Sequence, residues 1–124
     1  MYEALAAIGS VMLDPYLLML IFVTTIGGIV IGVLPGLGAT TGAALLLPFT
    51  LTMSPVHAIA VLATLYVSAT FAGSITAILI NTPGTSAAAA TTFDGFPLAQ
   101  RGEAGRALGI AVVASTIGGI FSII

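Results

Sequence analysis

From residue 15 to residue 93 the chain carries no Asp, Glu, Lys or Arg, and His57 is the only side chain there that titrates near neutral pH. A spanning helix needs about 20 apolar residues, so this run holds two or three passes. A water-soluble core of that size requires a charged shell. Two basic and four acidic residues in 124 do not supply one. The fold class that follows is all-α integral membrane, with a polytopic arrangement of helices.

Two Pro-Gly breaks interrupt the apolar sequence: Leu34-Pro35-Gly36-Leu37-Gly38-Ala39-Thr40-Thr41, and Asn81-Thr82-Pro83-Gly84-Thr85-Ser86-Ala87. Proline removes a helix hydrogen bond and glycine tolerates left-handed dihedrals, so each break frees amides and carbonyls that hydrocarbon cannot solvate. At membrane depth such backbone survives around a cavity or within protein. Discontinuous or re-entrant segments are therefore expected at both breaks. The two align as Pro-Gly-x-small-Ala, and paired Gly/Pro interruptions of this kind point to a transporter binding site.

Local chemistry sets the expected helices. Asp14-Pro15 and Ser54-Pro55 each pair a capping side chain with proline at the first helical position. They start helices at 15–34, roughly 30 Å long, and at 55–80, which spans with tilt. Between them 39–52, roughly 21 Å, is too short to cross and forms the short arm of an antiparallel hairpin. Arm lengths put the tip around Pro35 level with Ser68 to Ser74. That stretch is small and hydroxylated. Further helical segments are expected at 86–93 and 103–124. Gly28, Gly32 and Gly36, and again Gly105 and Gly109, recur at spacing four and form faces for close helix contact.

Residues 1–13 lack the basic flank of a secretory signal and read as an interfacial helix. The segment 94–102 reads as a loop. With Arg101 and Arg106 beside it, the positive-inside tendency makes it cytoplasmic. The apolar C-terminal sequence has no stop signal, so 1–124 reads as a single membrane domain from the N-terminal part of a longer protein.

Catalytic chemistry finds little support. His57 is the sole histidine, with no base–nucleophile pair adjacent in sequence, and there is no cysteine and no carboxylate cluster with metal-ligand spacing. Gly36-Leu37-Gly38 lacks the Lys-Ser or Lys-Thr of a phosphate loop. No basic patch points to nucleic acid. Helix N-termini offer more. Each presents unpaired amides and about half a positive charge, suited to a carboxylate. The candidate substrate residues are Pro35, Gly36, Gly38, Thr40 and Thr41 at the first break and Gly84, Thr85 and Ser86 at the second. Carbonyls freed before the second break, with Asn81, Thr82 and the facing Ser74, are candidates for a coupling cation. No other cofactor is expected. The plainer alternative is that the breaks are kinks and that hydroxyls bond to their own helix.

Gly32-Val33-Leu34-Pro35-Gly36-Leu37-Gly38, Asn81-Thr82-Pro83-Gly84 and Asp94-Gly95-Phe96-Pro97-Leu98-Ala99 with Arg101-Gly102 resemble, in order and spacing, the large membrane subunit of the tripartite tricarboxylate transporter family. The resemblance implies a carrier of the bacterial inner membrane, surrounded by lipid and working with a small membrane subunit and a periplasmic solute-binding protein. It implies uptake of citrate-like or related carboxylates by Na⁺ or H⁺ symport, with the 35–38 and 81–86 segments as the substrate and ion region. Thr85 stands where some members carry an acidic residue, which leaves charge-based preferences open. The alternatives are a non-transporting module that packs through its glycine faces, and a pore subunit, for which a charged selectivity ring is missing.

Overall fold

The computed structural model of the protein describes residues 8–123. Helices α1 (Pro15–Val33), α2 (Gly38–Thr50), α3 (Pro55–Ile80), α4 (Ala89–Gln100) and α5 (Ala104–Phe121) account for most of them, with a single 3₁₀ turn at Ser86–Ala88 before α4. Among the described residues there is no strand. Residues 8–12 are helical and Leu13 lies in a turn, while residues 1–7 of the expected 1–13 helix lie outside the described residues. Three helices, α1, α3 and α5, are long and apolar enough to cross a membrane. Their outward faces carry large apolar side chains such as Phe22, Val67 and Phe121, all more than half exposed.

Helix α3 is the hub, packed by every other helix and by the 3₁₀ turn. Its buried residues, among them Val61, Leu65, Ala69, Ala72, Ala77 and Ile78, are mostly small. Small side chains matter because lipid is as apolar as leucine, so association depends on close backbone approach. Helix α1 lies parallel to α3. A Cβ on Gly28 would overlap Ser68 Oγ, and one on Gly32 would overlap the Ala69 carbonyl. The third glycine of that stripe departs from expectation, since Gly36 lies beyond the end of α1 with open space around it. Helix α2 runs back toward the start of α3, with Gly42 wedged against Ile31 and Leu65 side chains.

After α3 the chain doubles back along it, so that the Gly84 amide donates to the Gly73 carbonyl at 3.2 Å. It then runs forward again as α4, where Gly95 meets Ile78. The segment 94–102, expected as a loop, is instead helical through Gln100, and the helical segment expected at 86–93 is a 3₁₀ turn continuing into α4. The Asp-Gly-Phe-Pro sequence looks like a turn, but Gly95 is buried, and a Cβ there would come within 2.7 Å of Ile78 Cγ1. Its role is contact. The turn comes later: Gly102, at φ +82°, ends α4, with the Gly102 amide donating to Ala99 and the Glu103 amide to Leu98. That is the Schellman arrangement. Helix α5 returns antiparallel to α4, burying Ala107. A Cβ added to Gly105 or Gly109 would meet nothing within 4 Å.

Candidate functional site

The two breaks, far apart in sequence, line one cavity of about 250 Å³. The first contributes Gly36, Gly38, Ala39 and Thr40, the second Gly84, Thr85, Ser86 and Ala87, and α3 closes the wall with Tyr66 and Thr70. The first tip therefore reaches α3 at the level that arm lengths indicate. Tyr66, 57% exposed overall, escaped the sequence reading because nothing marks one tyrosine on a long apolar helix as bordering a cavity. A signal was available: Tyr66 and Thr70 are spaced by four and share a face.

The glycines at the two breaks do different things. At the first, Gly36 and Gly38 take φ of +91° and +61°, dihedrals that an L side chain rarely adopts. At the second, the left-handed residue is Asn81, at φ 56°, which caps α3 while its amide donates to Thr76. Gly84 is there for space. A Cβ on it would overlap the Gly32 carbonyl and come within 2.8 Å of Gly73 Cα. Gly32, Gly73 and Gly84 thus form a three-way crossing that seats the second break against α1 and α3. Thr85 packs into the same crossing, with its Oγ1 2.7 Å from where a Gly73 Cβ would stand. That hydroxyl is buried and has no hydrogen-bond partner among the described residues.

Both short elements start in this cavity, and neither has a side-chain cap: Leu37 precedes α2 and Thr85 precedes the 3₁₀ turn without capping bonds. The first amides of a helix have no intrahelical partner. Two starts aimed at one space present a partial positive charge to an anion with no basic side chain involved. A larger cavity, about 470 Å³ in the groove between α1 and α3, is lined almost wholly by apolar groups. The hydroxyls of Thr25 and Ser68 in that groove bond to carbonyls of their own helices.

Of the remaining sequence candidates, Pro35 and Thr41 are exposed and do not line the break cavity. Ser74 lines the neighbouring cavity toward α4 and α5. Asn81 and Thr82 line neither, and the Thr82 hydroxyl donates to the Ile80 carbonyl at 3.3 Å. The structure does not bring these three together.

At the other end of α1 the long helices are tied. Asp14 Oδ1 accepts from the Tyr16 amide at 2.9 Å, and Ser54 Oγ accepts from the His57 amide at 3.4 Å, capping α1 and α3. His57 joins the caps, with Nε2 3.3 Å from Asp14 Oδ2 and Nδ1 hydrogen-bonded to Ser54 Oγ; the Tyr16 ring lies 5.4 Å away, centroid to centroid. Sequence separation hid this contact. The residue types are those of a hydrolytic triad, yet both oxygens are engaged as helix caps, and α1 separates the set from the break cavity by roughly 28 Å of rise. Among the described residues no group of three or more His, Cys, Asp or Glu is placed to hold a metal ion.

Comparison with known proteins finds one family and one relative. The tripartite tricarboxylate transporter TctA family matches residues 18–124. An uncharacterized 52.8 kDa protein in the TAR-I ttuC' 3' region of Agrobacterium vitis is 45% identical over 107 residues. That match covers 86% of this chain and 21% of the relative, so the chain spans about a fifth of that protein's length. No solved structure matches.

Proposed function

This chain belongs to the tripartite tricarboxylate transporter TctA family, and from that premise we propose that it is part of the membrane subunit of a secondary active carrier importing tricarboxylates or related carboxylates. It works with a small membrane subunit and a periplasmic binding protein, in the bacterial inner membrane, by Na⁺ or H⁺ symport. Both breaks act as re-entrant segments. The ligand carboxylate sits at the starts of α2 and of the 3₁₀ turn, held by first-turn amides and by Thr40 and Ser86.

The observation that carries this reading is the meeting of both breaks in one cavity with both helix starts uncapped. Simple kinks would have no reason to converge. The packing-module alternative loses one of its two glycine faces, because Gly28 and Gly32 are already occupied by α3 within the chain, and it retains the open face of Gly105 and Gly109.

The test is uptake of labelled citrate, malate and succinate into proteoliposomes holding the complete transporter and its binding protein, under an imposed Na⁺ or H⁺ gradient. At least one should be concentrated, and Gly36→Val, which forbids the positive φ without touching a neighbour, should abolish uptake while the complex still assembles. No uptake of any of them under either gradient would overturn the proposal.

A further inference from the structure

The wall on the α3 side of the break cavity is shared. Tyr66, Thr70 and Ala87 line both that cavity and a second one of about 400 Å³ that extends toward α4 and α5, where Ser74, Thr91 and Ser115 add hydroxyls. A hydroxyl in an apolar medium is costly unless hydrogen-bonded, and a helical Thr or Ser ordinarily solves this by bonding back to its own helix. Thr25 donates to the Ile21 carbonyl at 2.7 Å and Thr116 to that of Val112 at 2.8 Å. Tyr66 and Thr70 do neither. Among the described residues they make no hydrogen bond to protein, and beside them lies the buried, unpartnered Thr85 Oγ1.

We propose that Tyr66 and Thr70 determine ligand specificity, an inference that rests on the carboxylate-site reading above. Two helix starts account for one carboxylate. A di- or tricarboxylate projects further polar groups beyond them, and Tyr66 and Thr70, both carrying neutral donors, line the wall there. Tyr66 also borders both cavities, so its ring would limit how far a ligand extends from one toward the other.

The experiment is citrate, malate and succinate uptake by the intact transporter carrying Tyr66→Phe or Thr70→Val, each of which removes one hydroxyl and keeps the shape. For the ligand transported, KM should rise about tenfold in Tyr66→Phe, with kcat unchanged and a smaller rise in Thr70→Val. Thr116→Val, which removes a back-bonded hydroxyl on α5, should match wild type. Tyr66→Ala should make uptake sensitive to competition by benzene-1,3,5-tricarboxylate, a ligand too broad for the closed wall. Unchanged KM in both conservative variants, or a fall in kcat alone, overturns the inference; if Gly36→Val still abolishes uptake, the carrier reading stands without it. Absence of uptake in the wild type sinks both.

Discussion

At the Asp14 end of the molecule, α1 and α3 begin with proline in the first turn and a side chain on a first-turn amide, and His57 ties the two caps together. At the break cavity, α2 and the 3₁₀ turn begin with neither. These four elements start in two opposite ways, and α5, whose start does not line the cavity, is also without a side-chain cap. Capping uses the amides and part of the field at a helix start for stability; leaving a start bare keeps both for something else. The second break is held in place by the crossing of Gly32, Gly73 and Gly84, where the backbones meet too closely for any side chain.

The largest way to break this contrast is to remove the seating. In Gly32→Val or Gly84→Val the new side chain would overlap a backbone carbonyl that has nowhere to go, so a loss of about 3 kcal/mol or more is expected. Thermal unfolding of the transporter in detergent, with the amount recovered from membranes, checks this. Normal stability would show that the crossing is not what brings the breaks together.

A smaller and more selective effect is expected from Ser86→Pro. Thr85 has the extended backbone that precedes proline comfortably, at φ −133° and ψ 157°, and Ser86 is the first residue of its turn. The change makes this start resemble those at Pro15 and Pro55 while deleting one amide and one hydroxyl. Stability should hold, and KM for carboxylate uptake should rise at least tenfold, roughly the value of hydrogen bonds to a charged group. An unchanged KM would remove Ser86 from the site.

The mildest perturbations belong to the capped end. Asp14→Ala and Ser54→Ala should each cost about 1 kcal/mol of stability, the usual value of a helix cap. His57→Ala should cost no more than that, since the pair it breaks is partly exposed. None should alter KM. A KM change on mutating this end, without a loss of stability, would mean that it takes part in transport rather than only in holding the helices.

What could be read in the sequence was what local chemistry decides. Helix α3 begins at Pro55 and ends at Ile80, and α1 begins at Pro15, because cap, proline and breaker are neighbours along the chain. The same local cues misled at Asp94-Gly95-Phe96-Pro97, where glycine serves a helix crossing and the turn sits at Gly102. Contacts between distant residues were out of reach: Asp14 with His57, Gly73 with Gly84, and the place of Tyr66 on the cavity wall depend on how helices pack. The convergence of the two breaks was only hinted at by their shared pattern. Eight residues were candidates for the ligand, and six of them line the cavity; Thr41 falls outside because the register of α2 turns it outward.

The central claim is that the bare helix starts at the breaks are the anion site, and placing a fixed negative charge beside one of them tests it most directly. Leu37 precedes α2 and is exposed, so Leu37→Asp sets a carboxylate beside the start of α2 without burying it, where its charge opposes that of the ligand. Equilibrium binding of labelled citrate, or of whichever carboxylate is transported, to the purified transporter should fall at least tenfold, while the unfolding temperature stays the same or rises. Unchanged affinity with the new charge in place would contradict the account.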